Sequence, residues 1–224
     1  MATDTQVMPT ETVTYPTSDG QPIADNTKQF RWITTIQGGL DAMFRNSPDV
    51  FVAGDLLWYP VEGEPGNRRA PDVMVVFGRP KGDRGAYLQW EEAGIAPQVV
   101  FEVLSPGNSL TEMAKKLEFY TDYGVEEYYL YDPDRNELSG WQRHEDRLRV
   151  IAAMQGWVSS RLGVRFAVDA DGLHLYRPDG QEVVSYVELE RRHEAERQRA
   201  EQEHQRAERL SDYLRSIGVD PDQV

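Results

Sequence analysis

The chain contains no cysteine. That excludes disulfide frameworks, thiolate zinc sites, iron–sulfur clusters and cysteine nucleophiles. Histidine is scarce: His144, His174, His193 and His204 are the only four, and none pair at close metal-ligand spacing. A metal here would be held by oxygen, which points to Mg²⁺, Mn²⁺ or Ca²⁺. No apolar run approaches the roughly 18 residues of a membrane span. The first residues, MATDTQVMPTETVTYPTSDG, lack the basic start and apolar run of a signal peptide. A cytoplasmic protein without membrane contact is expected. Positive charge is also short, with 24 Lys and Arg against 38 Asp and Glu and a net charge of −14. This counts against a protein that coats nucleic acid by charge alone. It leaves room for an enzyme that meets DNA through a local patch and a metal. With 224 residues, 39% of them hydrophobic, the chain can build one core and carry a polar appendage.

Residues 1–26 are rich in Thr, Pro, Asp and Gly without periodicity and read as a flexible N-terminal tail. Apolar residues at 30, 33, 36, 40 and 44 predict a helix over 27–46, weakened by Gly38-Gly39. Strands are expected at 50–59, 72–77, 86–90, 98–104 and 126–131. Ser109 followed by Glu112 reads as a capping box opening a helix that stops at Gly124. Residues 137–153 read as a hairpin, and shorter strands are expected over 157–180. The domain proper is thus expected over 27–182. From 183 to 224 the pattern becomes a long polar helix. Residues 188–209 hold seven Glu and six Arg, with Glu–Arg pairs such as Glu188–Arg192 and Glu194–Arg197 at helical spacing. A solvated single helix and a weak coiled coil both fit.

Three side chains stand out. Glu102 interrupts the apolar strand Val99–Leu104, and burying a bare carboxylate costs several kcal/mol unless a cation or donors compensate. It is either a metal ligand or general base, or the partner of a structural arginine. Asp72 opens the apolar run Val73–Val76; alone it is an ordinary turn acid, but two carboxylates on neighbouring strands suit a hard divalent cation. On the helix after Ser109, the apolar side is expected to be Leu110, Met113, Ala114, Leu117 and Tyr120. Lys116 then lies roughly 90° from its centre and Lys115 roughly 170°. Lys116 could reach inward toward Glu102 or snorkel outward; Lys115 faces solvent.

The order PDVMVV, then VVFEVLSPGNSLTEMAKKLEFYTDYGVEEYYLYDP, closely resembles the Uma-type family of bacterial “putative restriction endonucleases”, within the PD-(D/E)XK nuclease superfamily. The resemblance runs over about residues 28–180, and the tail LRSIGVDPD also matches the extension many members carry. It implies an α/β fold of restriction-endonuclease type, a mixed central sheet flanked by helices. Pro71-Asp72 matches the PD element and Glu102 the acidic position. The motif lysine would fall at Leu104, which cannot act, and Lys116 matches it from the following helix. Many superfamily members carry a further acid on the first helix, where this chain offers only Asp41.

The resulting expectation is a metal-dependent endodeoxyribonuclease. Asp72, Glu102 and the Val103 carbonyl would hold Mg²⁺ or Mn²⁺, and Lys116 would position or help deprotonate a water and stabilise the transition state. Asp55 is a supporting candidate, and Arg68, Arg69 and Lys81 form the local basic patch for phosphate. Superfamily enzymes often dimerise to cut both strands, so DNA and a second copy are the expected partners. A further protein partner could dock on the C-terminal helix. Two other classes remain open: a nuclease fold kept as a binding or regulatory module, and an assembly protein organised by its C-terminal helix.

Overall fold

The structure, a computed structural model, describes residues 13–217. They divide at Val183/Val184 into two units. In the first, helix α1 (Thr27–Met43) starts at Asn26, whose side chain accepts the Gln29 N–H at 2.9 Å. Its buried stripe is Gln29, Ile33, Ile36 and Leu40. Phe30, expected inside, is half-exposed, and a polar side chain takes the inward place one turn before Ile33. The helix runs through Gly38-Gly39 because position 39 needs its glycine: a Cβ there would meet Val183 Cγ1 at 2.0 Å.

The strand expected over 50–59 is two, β1 (Val50–Gly54) and β2 (Trp58–Tyr59). Asp55 breaks it, with φ at 49°, in the left-handed region aspartate tolerates. Its N–H donates to the Pro71 carbonyl at 3.1 Å, which folds the break against the start of β3 (Val73–Phe77). Next come β4 (Tyr87–Leu88), β5 (Val99–Val103), α2 (Leu110–Asp122), β6 (Glu127–Asp132), the hairpin β7 (Glu137–His144) and β8 (Arg147–Val150), and the pair β9 (Arg165–Asp169) and β10 (Gly172–Tyr176). Six strands form one mixed sheet in the order β1-β3-β5-β6-β7-β8. Within this sheet only β5 and β6 are parallel, joined across α2; a parallel pair needs such a crossover. The short strands β2 and β4 form a separate parallel pair.

The central strands β3, β5 and β6 are buried on both faces, which explains their near-continuous apolar runs, while β7 and β8 lie more exposed. On one face Val73, Val75, Val99, Phe101 and Tyr129 pack with Ile33, Ile36 and Leu40 of α1 and with Phe166, Leu173 and Leu175 of β9 and β10. On the other, Met74, Val76, Val100 and Tyr128 pack with Trp58, Phe119 and Tyr120. This is the mixed sheet flanked by helices that the sequence led us to expect.

Helix α2 starts as expected, with the Ser109 hydroxyl accepting the Glu112 N–H at 3.1 Å. Its inward side differs from the expected one. Leu110 is 87% exposed, while Phe119 and Tyr120 are buried. The wheel weighted every apolar residue equally, but the large aromatics at the helix end decide which side turns in. The Arg143 guanidinium, from β7, donates to the carbonyls of Thr121 at 2.6 Å and Val125 at 2.7 Å and so ties down that end.

Residues 13–26 hold no helix or strand, yet they lie on the domain instead of forming the expected free tail. The Tyr15 ring sits 5.2 Å from Tyr59 and 4.9 Å from Trp90 between centroids, and the Tyr59 hydroxyl donates to the Pro16 carbonyl at 2.7 Å. The rest of the expected tail, residues 1–12, lies outside the described residues.

In the second unit, α3 (Tyr186–Ser216) is capped by Ser185 and buries no side chain. Glu188 pairs with Arg191 at 2.8 Å and Arg192 at 3.0 Å, and Glu194 with Arg197 at 2.6 Å. Such solvent-exposed pairs support the helix only weakly. Among the described residues, no helix is long and apolar enough to cross a membrane.

Candidate active site

Strand parity brings the two acids together. Asp72 precedes Val73 and follows the parity of Met74 and Val76; Glu102 follows that of Val100. Both therefore belong to the α2 side of the sheet. One step beyond the pair Val73–Phe101, the antiparallel register of β3 and β5 sets Asp72 opposite Glu102. The Asp72 Oδ2 accepts the Val103 N–H at 2.7 Å, which fastens the carboxylate to β5.

Glu102 is 2% exposed, and both its oxygens are engaged. Lys116 Nζ donates to Oε2 at 2.8 Å, and the Tyr120 hydroxyl donates to Oε1. Lys116 and Tyr120 are one helical turn apart, so one face of α2 delivers both donors. Tyr120 is fully buried, stacked on Trp58 and tilted against Tyr128. It holds the carboxylate at a fixed angle.

Asp72, Glu102 and Lys116 line a cleft of about 550 Å³, together with Asp55, Arg68 and Arg69. The Arg69 backbone pairs with Trp58 in both directions, which places its side chain over the Phe119 ring. Arg68 lies over Tyr59. Lys115 also reaches the cleft, from its exposed rim. Asp41 and Lys81 do not: they pair with each other at 3.0 Å and line a separate depression beside β1. The α1 residue that does face the cleft is Gln29, whose amide donates to the Val103 carbonyl at 2.8 Å.

Acidic side chains outnumber basic ones along the cleft, and the electrostatics register it. Burial, then the charge of Glu102, pushes the Asp72 carboxyl well above the usual aspartate range. Burial, with Asp19 and Glu102, raises Asp55. Burial alone would depress the Lys116 ammonium, but the Glu102 and Asp72 charges outweigh it and hold its pKa above the ordinary lysine value. Lys116 is therefore a cation at neutral pH. Two carboxylates sharing one lysine leave uncompensated negative charge among hard oxygen donors, the situation a divalent cation relieves. Among the described residues no group of three or more His, Asp or Glu gathers with metal-binding geometry. The donors on offer are two carboxylates and a backbone carbonyl. That set suits Mg²⁺, which keeps several waters and takes one or two carboxylates.

The chain belongs to the Uma2 family, whose model, described as “Putative restriction endonuclease”, matches residues 6–170. A solved structure from Anabaena variabilis ATCC 29413, titled a “putative nuclease belonging to DUF820”, is similar at 17% identity and a TM-score of 0.45; the match covers 60% of this chain and 72% of that one. No curated protein matches.

Proposed function

We propose that the chain is a Mg²⁺- or Mn²⁺-dependent endodeoxyribonuclease that hydrolyses phosphodiester bonds. The observation that carries this reading is the meeting of Asp72, Glu102 and Lys116, from three separate elements, in one cleft. Asp72, Glu102 and the Val103 carbonyl would hold the cation. When bound, it would neutralise charge on the phosphate and acidify a water. The protonated Lys116 donates from the edge of the carboxylate pair toward the scissile phosphate and stabilises negative charge as it builds there. A role as base is disfavoured by its raised pKa. Tyr120 fixes the angle of Glu102. Arg68 and Arg69 offer the backbone phosphates a seat beside Asp72. Asp55, raised by burial and by the charges of Asp19 and Glu102, lines the same cleft and supports the carboxylate pair from the end of β1.

One observation favours a second reading, a nuclease fold kept for binding: the cleft's excess of acid. A single experiment separates the two. Single- and double-stranded DNA are incubated with Mg²⁺, Mn²⁺ or chelator, using the native chain and Glu102→Gln. Metal-dependent cleavage that Glu102→Gln abolishes supports the enzyme. Binding with no cleavage under any metal favours the module.

Self-association through α3 is part of the same proposal. Its apolar side chains sit exposed at both ends, Tyr186 and Val187 at one and Leu210, Tyr213 and Ile217 at the other. A second copy that contributes the same helix would cover them.

A further inference from the structure

Residues 13–26 cross the mouth of the cleft as a strap fastened at two points. At one, Tyr15 packs between Tyr59 and Trp90, and its hydroxyl accepts the Gly63 N–H. At the other, Asp25 receives the Ser105 hydroxyl. Between them, residues 18–24 are mostly exposed, and among the described residues their hydrogen bonds are local, from Gly20 to Ser18 and from Gln21 to Asp19. Ala24, next to the Asp25 fastening, packs against the core; the span before it, held only at its ends, can lift with little disturbance there. The strap also brings Asp19 to the cleft, close enough to raise Asp55 further.

The Asp25 fastening continues inward through three hydrogen bonds. The Asp25 N–H donates to Gln29 Oε1 at 2.8 Å, the Gln29 amide donates to the Val103 carbonyl at 2.8 Å, and the Val103 N–H donates to Asp72 at 2.7 Å. With its oxygen held by Asp25, the Gln29 amide can only turn its NH₂ group to Val103. The strap therefore sets which way Gln29 faces, and Gln29 covers the carbonyl of Val103, the residue that follows Glu102 and whose N–H holds Asp72. We infer that Gln29 is a positioning residue through which the strap regulates the site: closed, it caps the Val103 carbonyl; lifted, it frees the amide to swing away and hand that oxygen to a divalent cation.

This inference rests on the reading of Asp72, Glu102 and Val103 as cation ligands. A carbonyl keeps a second lone pair, so the cap weakens cation binding without forbidding it.

The test is Mn²⁺ affinity of the full chain without DNA, measured by electron paramagnetic resonance. Gln29→Met removes the cap at similar volume, and Tyr15→Ala loosens the strap far from the ligands. Each should tighten Mn²⁺ binding by about threefold or more, as expected when a binding-competent state is only partly populated. In the double variant the gains should not add, because both act through one amide. Thermal unfolding of each variant checks that the fold is kept; if Gln29→Met does not fold, Tyr15→Ala alone reads the strap's effect. Unchanged or weaker binding in the variants, or gains that add, overturns the inference while leaving the cation site standing. If the native chain and both variants all fail to bind Mn²⁺, the cation site falls and the inference with it.

Discussion

Two glutamates on adjacent strands are buried in opposite ways. Glu127 is 0% exposed on the α1 side of the sheet, and Glu102 is 2% exposed on the α2 side. Glu127 meets only neutral donors: the hydroxyls of Tyr129 at 3.0 Å, of Ser159, and of Ser160 at 2.6 Å, and the N–H groups of Ser160 at 2.9 Å and Arg161 at 3.1 Å. It is surrounded, and it staples the 159–161 turn to β6. Glu102 instead meets one cation and one phenol, faces a second carboxylate and opens on a cleft. A carboxylate that holds a fold is saturated with donors. One placed for chemistry is left with charge still to be answered.

The sharpest way to break this comparison is to neutralise both. Glu102→Gln should lower cleavage at least about 100-fold, the scale of losing one transition-state contact. It breaks the ion pair with Lys116, but Lys116 keeps the charge of Asp72 beside it and the repulsion between the two carboxylates disappears, so the melting temperature should fall only modestly. Glu127→Ala should do the reverse, costing about 3 kcal/mol in urea unfolding because several donors lose their acceptor. Destabilisation by Glu102→Gln equal to that of Glu127→Ala would erase the distinction.

Next in size is the lysine pair. Lys116→Ala should reduce cleavage about 100-fold with the fold intact. Lys115→Ala, at the exposed rim where charge is screened, should change it no more than about threefold. Equal losses would show that only general positive charge matters.

Shortening the chain after residue 187 should have a smaller effect on the domain. The core ends at Val183, which packs on Gly39 and pairs its N–H with the Leu175 carbonyl at 2.8 Å. Cooperative unfolding should therefore persist, while sedimentation shows a smaller particle if α3 joins two copies. Loss of the sharp transition would place α3 in the core.

The smallest effect is a pH dependence. His174 lies between Glu182 and Asp169, whose hydrogen bonds and charges raise its pKa in the folded state. A raised base stabilises fully below its unfolded pKa of about 6.5 and loses that contribution as pH rises through the folded value. Urea midpoints should therefore fall slightly from mildly acidic to mildly basic pH, and His174→Gln should flatten that slope.

The elements built from local signals were legible in the sequence: the Ser109 cap, the apolar β5, and the aromatic-rich β6. Asp72 and Glu102 are paired through the family resemblance; strand parity puts them on one face only once the antiparallel register of β3 on β5 is known. Partners set by tertiary folding were not legible. Glu127 carries no signal in the sequence, because four of its five hydrogen bonds come from residues more than thirty positions away. Gln29 was overlooked as polar, although stepping back one turn from Ile33 lands on it. Tyr120 was counted only as apolar surface, and its hydroxyl proved to be the second hold on Glu102. The strap has the composition of a loop, and its fastening depends on Tyr59, Trp90 and Ser105, far along the chain.

The placement of the lysine has a further consequence. Where acid and lysine alternate along a single strand, their separation is set by bond lengths, at about 6.6 Å between alternate residues. Here the Glu102–Lys116 distance is set by how α2 lies on the sheet, through the rings of Trp58, Phe119 and Tyr120 and the grip of Arg143 on the far end of the helix. Covalent rigidity has been replaced by packing. Substitutions in that aromatic layer can thus retune the chemistry without touching a reacting group, and the layer becomes the part of the molecule in which drift in sequence is felt first as a change in rate.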